Sequence, residues 1–191
     1  WGLAEDQIII SVKMSDLQSM IFAYERLTPL CSYPIHLGLT EAGGGLSSII
    51  ATSAALSILL EQGIGDTIRA SLTPEPGANR SLEVSVCRDI LQSMGFRSFM
   101  PKVVSCPGCG RTSSDKFQIL AKYVRERIES KMPEWSKKYN GFEKTHIAVM
   151  GCIVNGIGEA KNADIGIFIP GDAETPQLQI YIQGVLYRSL E

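Results

Sequence analysis

The sequence contains no apolar run long enough to cross a bilayer. Even Ile49 to Leu60 is broken by Thr52, Ser53 and Ser57, short of the roughly 18 residues such a span needs. Nor is there an excess of one charge: Lys and Arg number 18 against 20 Asp and Glu, a formal net charge of −2. That balance argues against a nucleic-acid binder working through bulk positive charge. The opening Trp-Gly-Leu-Ala-Glu-Asp has neither the basic segment nor the apolar core of a targeting leader, so the expected compartment is the cytoplasm. Trp1 is not a natural start, and a segment removed ahead of it is expected. An even cysteine framework is also lacking. The five cysteines, at 31, 87, 106, 109 and 152, are odd in number and unevenly spaced, unlike a secreted disulfide scaffold. With 45% hydrophobic residues and no low-complexity segment, the chain reads as an ordinary folded protein.

What is present first is a repeat of strand and helix. Residues 8–14 (Ile-Ile-Ile-Ser-Val-Lys-Met) have the β-branched content of a buried strand. Asp16 to Leu30 carries Leu17, Met20, Ile21, Tyr24 and Leu27 at helical spacing, with Ser15 as the expected N-cap. A second strand over 34–39 precedes a helix over 47–62, closed by Gly63. A third strand over 66–72 precedes a helix over about 81–94. Lys13, Glu41 and Arg69 fall near the three strand ends, each 28 residues from the next. A (β/α)8 barrel spends roughly 30 residues on each unit and keeps its chemistry at the C-terminal strand ends. Three units are only part of such a barrel, so about five more, on the order of 150 residues, are expected ahead of Trp1. A doubly wound sheet is the rival architecture. Ser11 shares strand parity with Lys13, and Arg69 with Ser71, so each pair can face one pocket.

The pattern changes near residue 98, where we place a domain boundary between 1–98 and 99–191. Residues 102–105 form a short strand leading into Cys106-Pro107-Gly108-Cys109. A helix is expected from about Ser114, a surface connection over 132–142, a strand over 146–152 and a turn-rich loop over 155–159. Further strands are expected over 163–169 and 179–187, the latter a hairpin around Gln183-Gly184. A Cys-x-x-Cys pair alone fits a zinc site, an iron–sulfur site or a thiol redox pair. Cys152, opening a glycine-rich loop, favours a cluster, because bare backbone N–H groups can approach and stabilise thiolate sulfur. A fourth position is left to fill. Glu159 is seven residues past Cys152 and can fold back, whereas His146 is separated from Cys152 by about 20 Å of straight strand. Cys31 and Cys87 read as buried structural thiols. A structural zinc module and a thiol–disulfide protein remain the competing classes, although no thioredoxin-like pattern precedes Cys106.

Several segments together resemble one family. They are Val-Ser-Cys-Pro-Gly-Cys-Gly-Arg-Thr (104–112), Val-Met-Gly-Cys-Ile-Val-Asn-Gly-Ile-Gly-Glu-Ala (149–160) and Ala-Asp-Ile-Gly-Ile (163–167). In the first half they are Ser-Val-Lys (11–13), His-Leu-Gly-Leu-Thr-Glu-Ala-Gly (36–43) and Glu-Gln-Gly-Ile-Gly-Asp-Thr-Ile-Arg-Ala-Ser-Leu (61–72). The resemblance is to the 4-hydroxy-3-methylbut-2-enyl diphosphate synthase family of the non-mevalonate isoprenoid pathway, and it runs to about residue 170. It departs where Ile157 stands in place of the family's usual Pro.

The resemblance implies an α/β chain: the last three β/α units of a (β/α)8 barrel followed by a small α+β iron–sulfur domain. It implies a 4Fe-4S cluster held by Cys106, Cys109, Cys152 and Glu159. It implies diphosphate contacts from Lys13, Arg69 and Ser71, an acid/base role for Glu41, a substrate hydrogen bond from Asn155 and a place for His36 in the substrate site. The implied reaction is the two-electron reductive ring opening of 2-C-methyl-D-erythritol 2,4-cyclodiphosphate with loss of water. The implied electron donor is flavodoxin or ferredoxin, and the implied assembly is a homodimer in which one subunit's cluster domain closes over the other's barrel. With most of the barrel absent, the 191-residue chain alone is expected to be inactive.

Overall fold

The computed structural model describes residues 2–77, 79–108, 114–169 and 178–190, and the side chains of 153–155 are not described. The chain divides into two compact units, Trp1–Arg97 and Ser98–Glu191. Among the described residues no helix is long and apolar enough to cross a membrane.

In the first unit three extended segments run parallel in chain order, each followed by a helix. Residues around Ile10 and Met14 bridge Ile35 and Leu39, and β1 (His36–Leu37) pairs with β2 (Thr67–Ile68). The helices are α1 (Leu17–Leu27), α2 (Gly45–Glu61) and α3 (Ser81–Ser93). Helix α1 is capped by Asp16, whose carboxylate accepts the Ser19 N–H at 2.8 Å, one residue later than the Ser15 expected. The ladders are also shorter than the strands expected from β-branched content. Tyr24 supplies one reason. Its fully buried ring brings the hydroxyl between the first two segments, where it accepts the Val12 N–H at 2.9 Å and donates to the His36 carbonyl at 2.7 Å. A side chain thus takes the place of a direct strand-to-strand bond, and buried backbone groups stay paired.

Alternation does the rest. Ile35, Leu37, Leu39, Ala70 and Leu72 pack with Met20, Tyr24, Leu56 and Leu59 from the helices. Lys13, His36, Arg69 and Ser71 have the opposite parity and so belong to the other face.

The second unit is a five-stranded sheet in the order β3 (Lys102–Ser105), β4 (His146–Met150), β5 (Ile165–Phe168), β6 (Leu178–Ile182), β7 (Val185–Leu190). The first three strands are parallel and the last two antiparallel. Helix α4 (Lys116–Lys138) connects β3 to β4, and α5 (Ile153–Asn162) connects β4 to β5. Helix α4 covers the face carrying Ile147, Val149 and Ile167. The opposite face, with Ala148, Met150 and Phe168, packs Ala163 and Ile157 of the α5 segment. Both connections step the same way across the sheet from opposite faces, so one of them takes the uncommon left hand. The hairpin turns at Gln183 and Gly184, both at positive φ (48° and 78°), as a two-residue turn matched to strand twist requires.

Two expectations are corrected here. Residues 132–142, with Pro133 and Gly141, read as a surface connection, yet α4 continues through Pro133 to Lys138. Trp135 joins the core of this unit and meets Phe142 edge-on at 5.3 Å, packing that offsets the roughly 3 kcal/mol an internal proline costs. Residues 155–159 read as a turn-rich loop, yet they lie inside α5. Gly156 serves close packing: a Cβ there would stand 2.6 Å from the Phe168 ring.

Candidate functional site

In the first unit the side chains singled out from the sequence gather at the C-terminal ends of the parallel segments. Lys13 Nζ donates to Glu41 Oε1 at 2.9 Å, with both side chains mostly in solvent. Glu41 itself sits at φ 57°, a left-handed conformation that costs a non-glycine residue on the order of 1 kcal/mol and collects at functional sites. Arg69 lies across Gly38, where a Cβ would come within 3.4 Å of its Nε. The bare backbone at Gly38 therefore gives the guanidinium its bed.

Glu41, Arg69, Ser71, Arg80, Glu83 and Cys87 line an open groove of about 670 Å³. Arg80 and Glu83 were not singled out from the sequence. They belong to no motif there, and the available signal was only an Arg-x-x-Glu pair where α3 begins. Cys87 packs against the core of this unit, half-buried rather than fully buried, and burial pushes its thiol pKa up.

His36 is on the same face, its Nδ1 2.7 Å from Thr67 Oγ1. Burial, and then the charge of Arg69, hold its pKa below the ordinary 6.5. Between the folded and unfolded values the unfolded chain binds the extra proton, so stability rises with pH in that window. We therefore expect the thermal midpoint to fall as pH drops from 6.5 and His36→Gln to flatten that dependence. A pH profile unchanged by His36→Gln would contradict the assignment.

The second unit presents its thiols at strand ends. Cys106 follows β3 directly, and Cys152 lies two residues past β4, at the N-cap of α5 and only 4% exposed. Strands β3 and β4 are parallel neighbours, with Ser105 opposite Val149, so the two cysteine segments leave the sheet side by side. The first-turn N–H groups of a helix have no intrahelical acceptor and favour negative charge beside them. His146 begins β4, at the far end of the strand from Cys152.

Cys109 lies outside the described residues, as does the side chain of Asn155. Glu159 is exposed on α5, on the Cys152 side by spacing but about 10 Å farther along the axis. Among the described residues no three His, Cys, Asp or Glu stand close enough to hold a metal. The structure thus pairs the segments of Cys106 and Cys152 without bringing Glu159 to them.

Comparison with known families accounts for both units. The GcpE TIM-barrel domain matches residues 2–88, and the GcpE protein C-terminal domain matches residues 102–191. The chain belongs to the GcpE family, enzymes of isoprenoid biosynthesis.

Proposed function

We propose that this chain carries the diphosphate-binding and cluster-binding parts of an iron–sulfur oxidoreductase. Its reaction opens 2-C-methyl-D-erythritol 2,4-cyclodiphosphate reductively, with loss of water, to 4-hydroxy-3-methylbut-2-enyl diphosphate. Residues 1–98 are the last three β/α units of a (β/α)8 barrel, and 99–191 are the cluster domain. The observation that carries this reading is the gathering of Lys13, Glu41, Arg69 and Ser71 around one strand-end groove.

Two cations and a hydroxyl donor suit a diphosphate, whose charge is spread over several oxygens. Arg69 supplies a planar fork and Lys13 a point charge. Glu41, which accepts from Lys13 Nζ at 2.9 Å, is assigned to hold or deliver a proton near the substrate hydroxyls. His36, on the same face as Arg69 by strand parity, is assigned to the substrate site, and Asn155 to a substrate hydrogen bond.

Cys106 and Cys152, leaving neighbouring strand ends, fit two thiolate ligands of an iron–sulfur cluster. Cys109, three residues past Cys106 in sequence, would be the third, and Glu159, about two helical turns from Cys152, is assigned as a harder fourth ligand. A bound 4Fe-4S cluster would supply the two electrons, one at a time, from flavodoxin or ferredoxin. Three β/α units make an incomplete barrel, so turnover requires further units, a full-length homodimer provides them, and the 191-residue chain alone binds diphosphate without turning it over.

The test is pyrophosphate titration of the chain by calorimetry. Arg69→Ala should weaken binding by about tenfold or more, the worth of a charge-assisted contact. Lys13→Ala should also weaken it while moving stability by no more than about 1 kcal/mol, because its ion pair with Glu41 is exposed. Binding indifferent to both substitutions would sink the diphosphate reading.

A further inference from the structure

A carboxylate in the wall of an anion groove is an electrostatic liability, and Glu83 is one. It nevertheless sits there mostly buried, its side chain 22% exposed, and both of its oxygens are engaged. Oε1 accepts the Leu72 N–H at 3.0 Å and Oε2 accepts from Arg80 Nη2 at 3.2 Å. Leu72 is the residue after Ser71 and three after Arg69, on a segment whose named ladder with β1 ends at Ile68. Beyond that point the backbone bond of Arg69 N–H to the Leu37 carbonyl at 2.9 Å continues the pairing. Thr73 N–H resumes it on the Gly43 carbonyl at 2.9 Å, while Leu72 N–H, on the opposite edge of the segment, bonds the helix. Glu83 is therefore a side-chain clasp between α3 and the part of the strand that presents Arg69 and Ser71.

We infer that Glu83 is a positioning residue for the anion groove: its carboxylate fixes the strand end bearing Arg69 and Ser71 and holds Arg80 at the groove wall. The inference rests on the diphosphate reading of that groove. Its charge is consistent with this place, since the Leu72 N–H, and then Arg80 and Arg69, hold the carboxyl below its usual range. The role depends on an acceptor oxygen at that spot rather than on negative charge, and this gives a prediction of opposite sign to simple electrostatics. Removing a carboxylate from an anion site should tighten anion binding if the group is a bystander. If Glu83 positions the strand end, removing its acceptor must weaken binding instead.

The experiment is pyrophosphate calorimetry on wild-type chain, Glu83→Ala, Glu83→Gln and Arg69→Ala, with hydrogen exchange of the Leu72 amide followed by NMR. Glu83→Ala should lose about tenfold in affinity, the order expected from one buried donor left unpaired, and should lose Leu72 protection. Glu83→Gln keeps one acceptor, for the Leu72 N–H, and gives up the charge and the bond from Arg80, so it should protect Leu72 and bind within about twofold of wild type or more tightly. Tighter binding by Glu83→Ala, or affinity equal to wild type, overturns the inference while leaving the groove reading intact. If Glu83→Ala does not fold, Glu83→Gln decides: affinity as poor as that of Arg69→Ala overturns the inference. A wild-type chain with no pyrophosphate affinity takes down the diphosphate reading, and the inference with it.

Discussion

Cys152→Ser is expected to abolish iron and sulfide incorporation on anaerobic reconstitution, together with the visible absorbance of a thiolate-bound cluster. The expectation comes from the position of the thiol. Cys152 is 4% exposed, between the end of β4 and the first turn of α5, beside the strand end that carries Cys106. A serine hydroxyl is close in size but is a poor ligand for iron beside thiolates. Folding should survive, because the substitution introduces one small hydroxyl at a helix N-cap, a position serine favours. Far-UV circular dichroism should therefore match the wild type while iron content falls to background. Cys87→Ser is the matching control: that thiol stands on α3 in the first unit and lines the groove, and its loss should leave iron and sulfide unchanged. Full iron retention by Cys152→Ser would contradict the ligand assignment.

The second large effect is on stability. Gly166→Ala is expected to destabilise the second unit by about 3 kcal/mol or more, since overpacking against backbone cannot relax by a rotamer change. A Cβ on Gly166 would stand 2.6 Å from the Cα of Ala160 and nearer still to its carbonyl. Helix α5 rests directly on β5 at that point, with Ala160 fully buried. Gly158 is the counter-case on the same helix. Nothing lies within 4 Å of a Cβ placed there, and its φ is not positive. Gly158→Ala should therefore stabilise by about 0.5–1 kcal/mol, the helix-interior cost of glycine relieved. Thermal unfolding of the two variants checks both signs. Equal and small effects would mean that residues 153–162 are not helical against the sheet.

That contrast shows where the sequence was and was not legible. The strand-end residues of the first unit were readable because two periods coincide: the alternation within a strand and the 28-residue step between units. Both are set by local geometry and survive in sequence order. The turn over 155–159 was misread because Asn-Gly and Gly-x-Gly are punctuation by local propensity. What overrides propensity there is a contact with Gly166 and Phe168, residues whose approach to α5 is written nowhere in the local pattern. Pro133 was misread for the same reason, since Trp135 packing decides the outcome. Glu83 was invisible because its partner is a backbone N–H 11 residues away, which carries no side-chain signature. The proposed ligand set rests on residue types and spacing, with Glu159 expected to fold back on a loop. Helix α5 instead carries it about two turns from Cys152.

The most direct measurement of the central claim is anaerobic iron and sulfide analysis of the reconstituted wild-type chain, with a visible spectrum. The account predicts about four irons and four sulfides per chain with broad absorbance near 400 nm, lost in Cys152→Ser. One zinc per chain without sulfide would contradict it and make the second unit a structural metal module.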